Sequence, residues 1–278
     1  MSEYSLDDFF RDHPFAPDEG VKRLYRVRSI DWTKESHIDD LLINGKLYHA
    51  KPAQLNDPFE CQPHYQWPTN AKDAAALRRH LINIIRREAR VSYMEAQRII
   101  GAQMANPSFT SQLLKQGGIE TFGELRICSF ASAPDNLLMW SHYGDSHRGY
   151  CLEFDTQWLP LAMAYKVQYS NQYPVAVYPP YQDIRNVQPA LIKSPDWAYE
   201  EEYRTILVPS SAKSLPNDGE SYYLPAECLA GLYFGVNTTE NDKKKILEKV
   251  GQGPFNPIIY DAERSQSNFK ITFKARTT

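Results

Sequence analysis

The stretch ELRICSFASAPDNLLMWSHYGDSHRGYCLEFD, residues 124–155, combines two strand patterns with one helix pattern. Its two ends, residues 124–131 and 148–155, are rich in apolar and aromatic side chains and are bounded by turn residues, as strands are. Between them, Leu138 and Trp140 offer apolar and aromatic faces to a short helix. Strand, helix and strand within so short a segment predict an α+β protein.

Further strand patterns surround this stretch, and each is bounded by turn residues. They are VKRLYRVR (21–28), YKVQYS (165–170), YRTILVP (203–209), GLYFGV (231–236), PIIYD (257–261) and NFKITFKA (268–275). In the first of them apolar and basic residues alternate, which places Arg26 and Arg28 on one face together with Leu24. The sequence therefore predicts a mixed, mostly antiparallel sheet.

Residues 71–116 are helical in pattern, with apolar side chains such as Leu77 and Leu81 at helical spacing. The outer face of this helical insertion carries the arginines Arg78, Arg79, Arg86, Arg87 and Arg90. We interpret that face as solvated and assign no function to it. Because no linker-like stretch divides the chain, we predict a loose N-terminal segment over residues 1–20 and a single domain over residues 21–278.

Composition narrows the class of protein. The 278 residues include 31 Lys and Arg against 34 Asp and Glu, so the net charge of -3 gives no global reason to bind nucleic acid or lipid. No window approaches the ~20 apolar residues of a membrane span, and the start has no signal-peptide pattern, so we expect a cytoplasmic protein without membrane association. The four cysteines are widely scattered, which disfavours a zinc site or a disulfide framework.

The first polar motif is LYHAKPAQLNDPFE, residues 47–60. It places His49, Lys51, Asn56 and Asp57 within one passage from a strand into a loop. One interpretation is a rigid corner, in which the Asn and Asp side chains satisfy backbone amides. The other is a loop that lines a polar pocket.

The second motif is the helix that follows Ser129 and delivers Trp140, His142 and Tyr143. It is either an aromatic helix of the core or a platform of rings for a planar ligand. Ser141 and the nearby histidine and aspartate side chains also suggest a hydrolase triad or a metal site. The GxSxG and HExxH patterns of those sites are absent, so we do not favour either of them.

The third motif is KSPDWAYEEEYRTIL, residues 193–207. Extended geometry would place Glu200, Glu202 and Arg204 on one face of a strand. Two carboxylates at this spacing repel each other unless cations or ligand hydroxyls hold them, which favours a functional site. The alternative is an ion-pair ladder at the surface, bridged by Arg204.

Four motifs of the chain resemble a bacterial family known only as a domain of unknown function, family 2971. They are LYRVRS (24–29), GKLYHAKPAQLNDPFE (45–60), MWSHYGDSHRGYCLEF (139–154) and WAYEEEYRTI (197–206). The resemblance spans roughly residues 21–236. It implies a shared fold and assigns no reaction.

The order of the motifs also resembles NAD-dependent ADP-ribosyltransferases, which implies a split sheet with NAD as a substrate. The resemblance implies that either Arg26 or His49 anchors the dinucleotide and that Ser129 and Tyr143 frame the nicotinamide. Glu202 would be the catalytic carboxylate, with Glu200 as its partner. The complete set of candidate residues for NAD binding is Arg26, His49, Asn56, Ser129, Trp140, His142 and Tyr143.

Three functions follow as hypotheses. The first is an NAD-dependent ADP-ribosyltransferase-like enzyme, a toxin or phage-defence effector, which needs no metal and modifies a protein or nucleic-acid acceptor. The second is a non-catalytic module that binds a nucleotide or a partner protein. The third is a hydrolase or nuclease that holds a divalent cation with Asp57, Glu60, Glu200 and Glu202.

Overall fold

The computed structural model describes residues 4–66, 68, 70–106, 108–109, 124–177, 183–210, 212 and 214–276. The last part of the predicted helical insertion, residues 107 and 110–116, lies outside them. Along the chain, helices and strands intermix and build one large sheet that carries helices on both faces. The α+β class that the sequence predicts is confirmed.

Six α-helices are complete within the described residues, and several 3-10 turns connect them to the strands. The helices are α1 (Leu6–Asp12), α2 (Glu35–Leu42), α3 (Ala71–Glu88), α4 (Tyr93–Met104), α5 (Leu137–His142) and α6 (Glu240–Val250). None of the described helices is long and apolar enough to cross a membrane.

The strands are β1 (Arg23–Arg28), β2 (Lys46–Tyr48), β3 (His64–Gln66), β4 (Arg126–Ala131), β5 (Tyr150–Asp155), β6 (Tyr165–Lys166), β7 (Gln168–Tyr169), β8 (Val175–Val177), β9 (Ile192–Lys193), β10 (Glu202–Leu207), β11 (Ser221–Tyr223), β12 (Leu229–Phe234), β13 (Ile258–Arg264) and β14 (Ile271–Ala275). Eight of them form the main sheet in the order β14-β13-β12-β5-β1-β4-β10-β6. Only β12 and β13 are parallel neighbours in this sheet of described strands, so it is mixed and mostly antiparallel, as predicted.

The sheet is open between β1 and β4. β1 pairs with β5 along its whole length, and β4 does the same with β10. Between β1 and β4 themselves, the described ladder contains a single pair, Tyr25 opposite Ala131. Ala50 occupies the gap and exchanges two backbone hydrogen bonds of 2.8 Å with Ile127 of β4. The first polar motif therefore separates β1 from β4, and the sheet is split at this point.

Different helices bury the two faces of the sheet. On one face, Leu24 of β1 packs in a core that includes Leu42 of α2 and Ile246 of α6. On the other face, Val27 of β1 packs with Trp140 of α5. Successive side chains of β1 thus enter opposite cores, as the alternation in its sequence predicts.

The N-terminal segment differs from the loose structure that the sequence predicts. Ser5 caps α1 through a capping box with Asp8, and Phe9 is fully buried against Tyr165, with ring centroids 5.8 Å apart. The helix has only seven residues, which is too short for its periodicity to stand out in the sequence. Burial of the Phe9 ring fixes the segment to the sheet.

The helical insertion is a hairpin with its own core. α3 and α4 pack around Leu77, Leu81, Ile82 and Ile100, and no residue of the main sheet belongs to this cluster. The five arginines that the sequence places on its outer face are all exposed, as expected of a solvated face. The hairpin therefore has a hydrophobic core separate from those of the sheet and carries an exposed basic surface.

Candidate functional site

A cavity of about 350 Å³ lies at the opening between β1 and β4, and we call it the split cavity. Residues that pair across strands share a face, so Tyr25 and Glu202, which both lie opposite Ala131, are on one face of the sheet. Arg26 leaves β1 on the other face, and yet it also lines the cavity. The cavity is lined from both faces because the strands separate at this point.

One wall of the split cavity is cationic. Arg26 and Arg28 are half-buried neighbours on β1, and Arg26 donates a hydrogen bond to the Sγ atom of Cys128. The charge of Arg26, together with burial, lowers the pKa of Arg28. Within the described part of the chain, neither guanidinium forms a salt bridge with a carboxylate. Two uncompensated cations that repel each other at a cavity wall favour an anionic ligand.

A second part of the cavity lining belongs to a buried ion network formed by Glu60, Lys193, Glu200, Glu202 and Arg204, of which all but Arg204 line the cavity. Nζ of Lys193 lies 2.6 Å from Glu200, 3.1 Å from Glu202 and 3.2 Å from Glu60. All five side chains are less than 5% exposed. Lys193 thus joins three carboxylates from two separate segments of the chain, the first and the third motif.

Arg204 is the second cation of the network. Its Nε donates to Oε1 of Glu202 at 2.7 Å and its Nη2 to Oε2 at 2.9 Å, a bidentate contact. It also donates to Glu60 and to the carbonyl oxygen of Ala190. With every group ionised, three carboxylates face two cations, so the network holds one excess negative charge next to the cavity.

The two carboxylates of the third motif have opposite acidities. Burial alone would raise the pKa of Glu202, but Arg204 and Lys193 hold it at about 2. Burial raises the pKa of Glu200, and the attraction of Lys193 does not fully offset this effect. Glu202 is therefore a permanent anion at neutral pH, whereas Glu200 is the more basic group of the pair.

Glu201 adopts the left-handed backbone conformation, and this turn directs the side chains of Glu200 and Glu202 to the interior. The sequence predicts an extended strand through this region, but Glu200 ends a 3-10 helix (Pro195–Glu200) and only Glu202 belongs to β10. Glu201, between them, has a φ of 44° and turns out to solvent, where Ser132 donates a hydrogen bond to it. The pairing of Glu200 and Glu202 on one side persists, although the geometry that produces it differs.

Tyr143 connects the second and third motifs across the cavity. Its hydroxyl donates to Glu200 at 2.7 Å and accepts a hydrogen bond from Nδ2 of Asn56 at 3.3 Å. Asn136 caps α5 and donates to the carbonyl oxygen of Tyr199 at 2.6 Å, which fixes this helix against the 3-10 turn that carries Glu200. All three motifs therefore meet at one side of the split cavity.

Ser129 and His142 are the other predicted residues at this site. Ser129 lies on β4 opposite Arg204 and hydrogen-bonds to Glu202, which helps to lower the pKa of that carboxyl. His142, at the end of α5, is exposed and lines the cavity near Lys193. The structure thus brings together Arg26, Asn56, Ser129, His142, Tyr143, Glu200 and Glu202.

His49 and Trp140 lie outside the split cavity. Both ring nitrogens of the fully buried His49 are engaged, Nδ1 with the carbonyl oxygen of Leu47 and Nε2 with Oγ1 of Thr205, each at 2.8 Å. Trp140 is equally buried and donates to the carbonyl oxygen of Pro134. Of the two alternatives for a ligand anchor, Arg26 is therefore the one that reaches the cavity.

The protonation of His49 should make stability depend on pH. Burial lowers its pKa from 6.5 to about 3, so between these values the unfolded imidazole binds a proton and the folded one does not. Wild-type stability should therefore fall by about 1.4 kcal/mol per pH unit as the pH drops below 6.5. Urea midpoints at pH 7 and pH 5 should show this loss in the wild type and a smaller loss in His49→Asn. Equal losses in both proteins would contradict this role of His49.

Lys193 is the first residue of the third motif, but nothing in the sequence distinguishes it as the residue that holds the carboxylates together. The only hint is that two neighbouring carboxylates require cations, whereas Arg204 of β10 pairs with Glu202 and not with Glu200. Lys193 comes from β9, which is held in place by its pairing with β7. The alternative interpretation of the third motif was an ion-pair ladder at the protein surface, bridged by Arg204. The Arg204 side chain is only 1% exposed, so it does not lie at the surface.

The remaining alternatives for these motifs find little support. No group of three or more His, Cys, Asp or Glu side chains among the described residues is arranged to hold a metal ion. Three of the four carboxylates proposed for a cation contact Lys193 instead. Ser141 lies 3.4 Å from Nε2 of His147, but Asp145 forms an ion pair with Arg148, so the hydrolase triad is not assembled.

Comparisons with known proteins connect one part of this site to a family. The model of a family described as Protein of unknown function (DUF2971) matches residues 139–178, which include most of α5 and all of β5. The segment is therefore similar to that family, whose description names no reaction. No curated protein and no solved structure matches the chain.

Proposed function

We propose that the chain is an NAD-dependent ADP-ribosyltransferase-like enzyme and that the split cavity is its active site. The observation that carries the proposal is the opening of the sheet. It gathers into one cavity an arginine of the first strand that has no carboxylate partner, a serine of a middle strand, and two glutamates at the start of a late strand, which are Arg26, Ser129, Glu200 and Glu202. This is the order and the kind of residues that the resemblance to ADP-ribosyltransferases implies.

The charges of the cavity suit NAD as a substrate. The pyrophosphate of NAD is anionic, and the unpaired guanidinium groups of Arg26 and Arg28 supply charge-assisted donors to it. The nicotinamide ring is cationic, and the excess negative charge of the buried ion network favours it at the other wall. A ligand with an anionic pyrophosphate at one end and a cationic ring at the other therefore suits both parts of the cavity lining.

The reaction breaks the bond between C1′ of the ribose and the nicotinamide nitrogen. Nicotinamide leaves as a neutral molecule with the electron pair of that bond, and positive charge develops on the ribose. Glu202 is anionic and fixed by Arg204 and Lys193, so it stabilises this charge without reorganisation. Stabilisation that grows as the charge develops lowers the barrier.

Glu200 is the proposed general base. An acceptor nucleophile attacks C1′, and its proton passes to Glu200, whose raised pKa makes it the better proton acceptor of the pair. Tyr143 and Lys193 orient the Glu200 carboxylate through hydrogen bonds of 2.7 Å and 2.6 Å. Each glutamate thus has a separate task that follows from its surroundings.

Replacement of Arg26 by Gln should weaken NAD binding about tenfold or more, because it removes a charged donor to the pyrophosphate. Arg23→Gln is a matched control on the same strand, since Arg23 forms salt bridges with Glu153 and Asp155. Titration calorimetry with the wild type and both variants measures the effect. Equal affinities for the wild type and Arg26→Gln would count against the proposed anchor.

One observation favours a second candidate, a non-catalytic module that binds a nucleotide. Both oxygens of Glu202 are already engaged, one by Nε of Arg204 and the other by Nη2 of Arg204 and by Lys193. A carboxylate so fully bonded also serves to hold β9 and β10 together. In that case the arginines would bind a nucleotide, and no bond of the ligand would be broken.

A further inference from the structure

A second cavity, of about 670 Å³, shares Glu60, His142 and Lys193 with the split cavity, and we call it the outer cavity. Four aromatic rings line it, those of Phe59, Tyr173, Trp197 and Tyr199. Lys193 stands between the two cavities, with its Nζ 4.9 Å from the centre of the Trp197 ring. A ligand in the outer cavity therefore lies next to the proposed catalytic carboxylates.

The rings of the outer cavity are available for stacking. Phe59 is 66% exposed and Tyr173 is 50% exposed, although both are large apolar side chains. Trp197 is fixed, because its Nε1 donates to Oδ2 of Asp57 at 2.8 Å. Its ring lies 6.1 Å from that of Tyr199. Exposed rings beside rings held in place form the kind of surface on which planar heterocycles stack.

Side-chain amides supply the polar part of the outer cavity. Gln62, Asn171 and Gln172 line it, and their amide groups make no hydrogen bond to any other described residue. An amide offers a donor and an acceptor side by side, which matches the paired donor and acceptor on the edge of a nucleobase. Rings and free amides together indicate a flat ligand with hydrogen-bonding edges.

The helical hairpin adds the charge that a nucleic acid requires. α3 begins nine residues after Gln62, on the chain segment that leaves the rim of the outer cavity through β3. Residues 71–106 contain seven Lys and Arg against three Asp and Glu, in a protein whose net charge is -3. Four exposed arginines of the hairpin form no ion pair with any described residue, namely Arg78, Arg79, Arg87 and Arg90.

We propose that the outer cavity binds an unstacked base of a single-stranded nucleic acid, whose phosphates contact the hairpin arginines. A single strand fits better than a duplex, because a base must leave its stack before rings can enclose it. A nucleic acid fits better than an acidic peptide, because the exposed rings and free amides recognise bases and only the arginines recognise charge. The further step, in which the bound base is the acceptor of ADP-ribose, rests on the proposed function.

Fluorescence anisotropy with labelled 12-nucleotide DNA and RNA strands, without NAD, tests the binding. Phe59→Ala and Tyr173→Ala should each weaken binding about 5- to 100-fold, because each removes one stacking ring. Both side chains are exposed, so the fold should tolerate the change. Phe269→Ala is the matched control, since Phe269 is 97% exposed between β13 and β14, lines neither cavity and should not affect binding.

Two further measurements distinguish contacts with the bases from contacts with the phosphates. An abasic strand of the same length should bind more weakly than a strand with bases, and Arg79→Gln with Arg87→Gln should lower the salt dependence of binding by about 0.7 per charge removed. Three results would overturn the proposal. They are equal affinity for the abasic strand and the strand with bases, wild-type affinity of the Phe59 and Tyr173 variants, and binding of acidic peptides alone. Strand binding without any nicotinamide release would leave the base site standing and refute only the proposed function.

Discussion

Glu202→Gln should slow the release of nicotinamide from NAD by at least about 10²-fold. The amide has the shape of the carboxylate but lacks the charge that stabilises the developing positive charge on the ribose. The contacts with Arg204 make Gln a better choice than Ala, because its side-chain oxygen can still accept a hydrogen bond from the guanidinium. NAD binding should change much less than turnover, since the arginines of β1 are untouched.

Glu201→Gln is the matched control for this experiment. Glu201 is the direct neighbour of both candidate glutamates, but it is exposed and points away from the split cavity. Its replacement should leave the rate of nicotinamide release within about twofold of the wild type, as is usual for exposed positions. A Glu202→Gln protein that folds and releases nicotinamide at the wild-type rate would contradict the catalytic role. If Glu202→Gln altered only the affinity for NAD, the binding-module candidate would be favoured.

Arg204→Ala should lower the free energy of unfolding by about 3–5 kcal/mol, because it leaves buried carboxylates without their main counter-ion. Arg204 is 1% exposed and contacts both Glu202 and Glu60. Lys193 would remain as the single cation for three carboxylates. The loss should therefore be among the largest of any single substitution in this domain.

Urea denaturation at neutral pH measures this loss through the shift of the unfolding midpoint. Arg11→Ala is the control, since Arg11 forms an ion pair with Asp8 at 2.6 Å at the surface, where such pairs contribute little. Its midpoint should stay close to that of the wild type. An Arg204→Ala protein with the wild-type midpoint would show that the buried ion network does not stabilise the fold.

The strand patterns predict most of the sheet, because alternation reports which side chains are buried. In β1 it correctly separates Leu24 from Val27 on opposite faces. It gives no information on where the sheet opens, since that depends on a contact between distant segments. Ala50 pairs with Ile127 in place of the first strand, and no local pattern at either residue indicates this pairing.

For the site, too, the local sequence does not indicate contacts between distant segments. The spacing of Glu200 and Glu202 predicts that the two carboxylates lie together, and they do, because the αL conformation of Glu201 turns only this residue outward. His49 is a candidate by residue type, but Thr205, which its buried ring contacts, lies 156 residues away in the sequence. Lys193 begins the third motif but lies in a separate strand, so only the tertiary structure shows that its side chain reaches both carboxylates. The sequence thus indicates candidate side chains of the site, whereas the interaction partners of each side chain depend on the tertiary structure.

The most direct test of the central claim is the release of nicotinamide from NAD by the purified wild-type chain, measured alone and with single-stranded nucleic acid or protein acceptors. The proposed function predicts release that increases with the correct acceptor and that depends on Glu202. The absence of release with every acceptor, from a protein shown to be folded, would contradict an NAD-consuming enzyme. The split cavity would then be best explained as the binding site of a non-catalytic module.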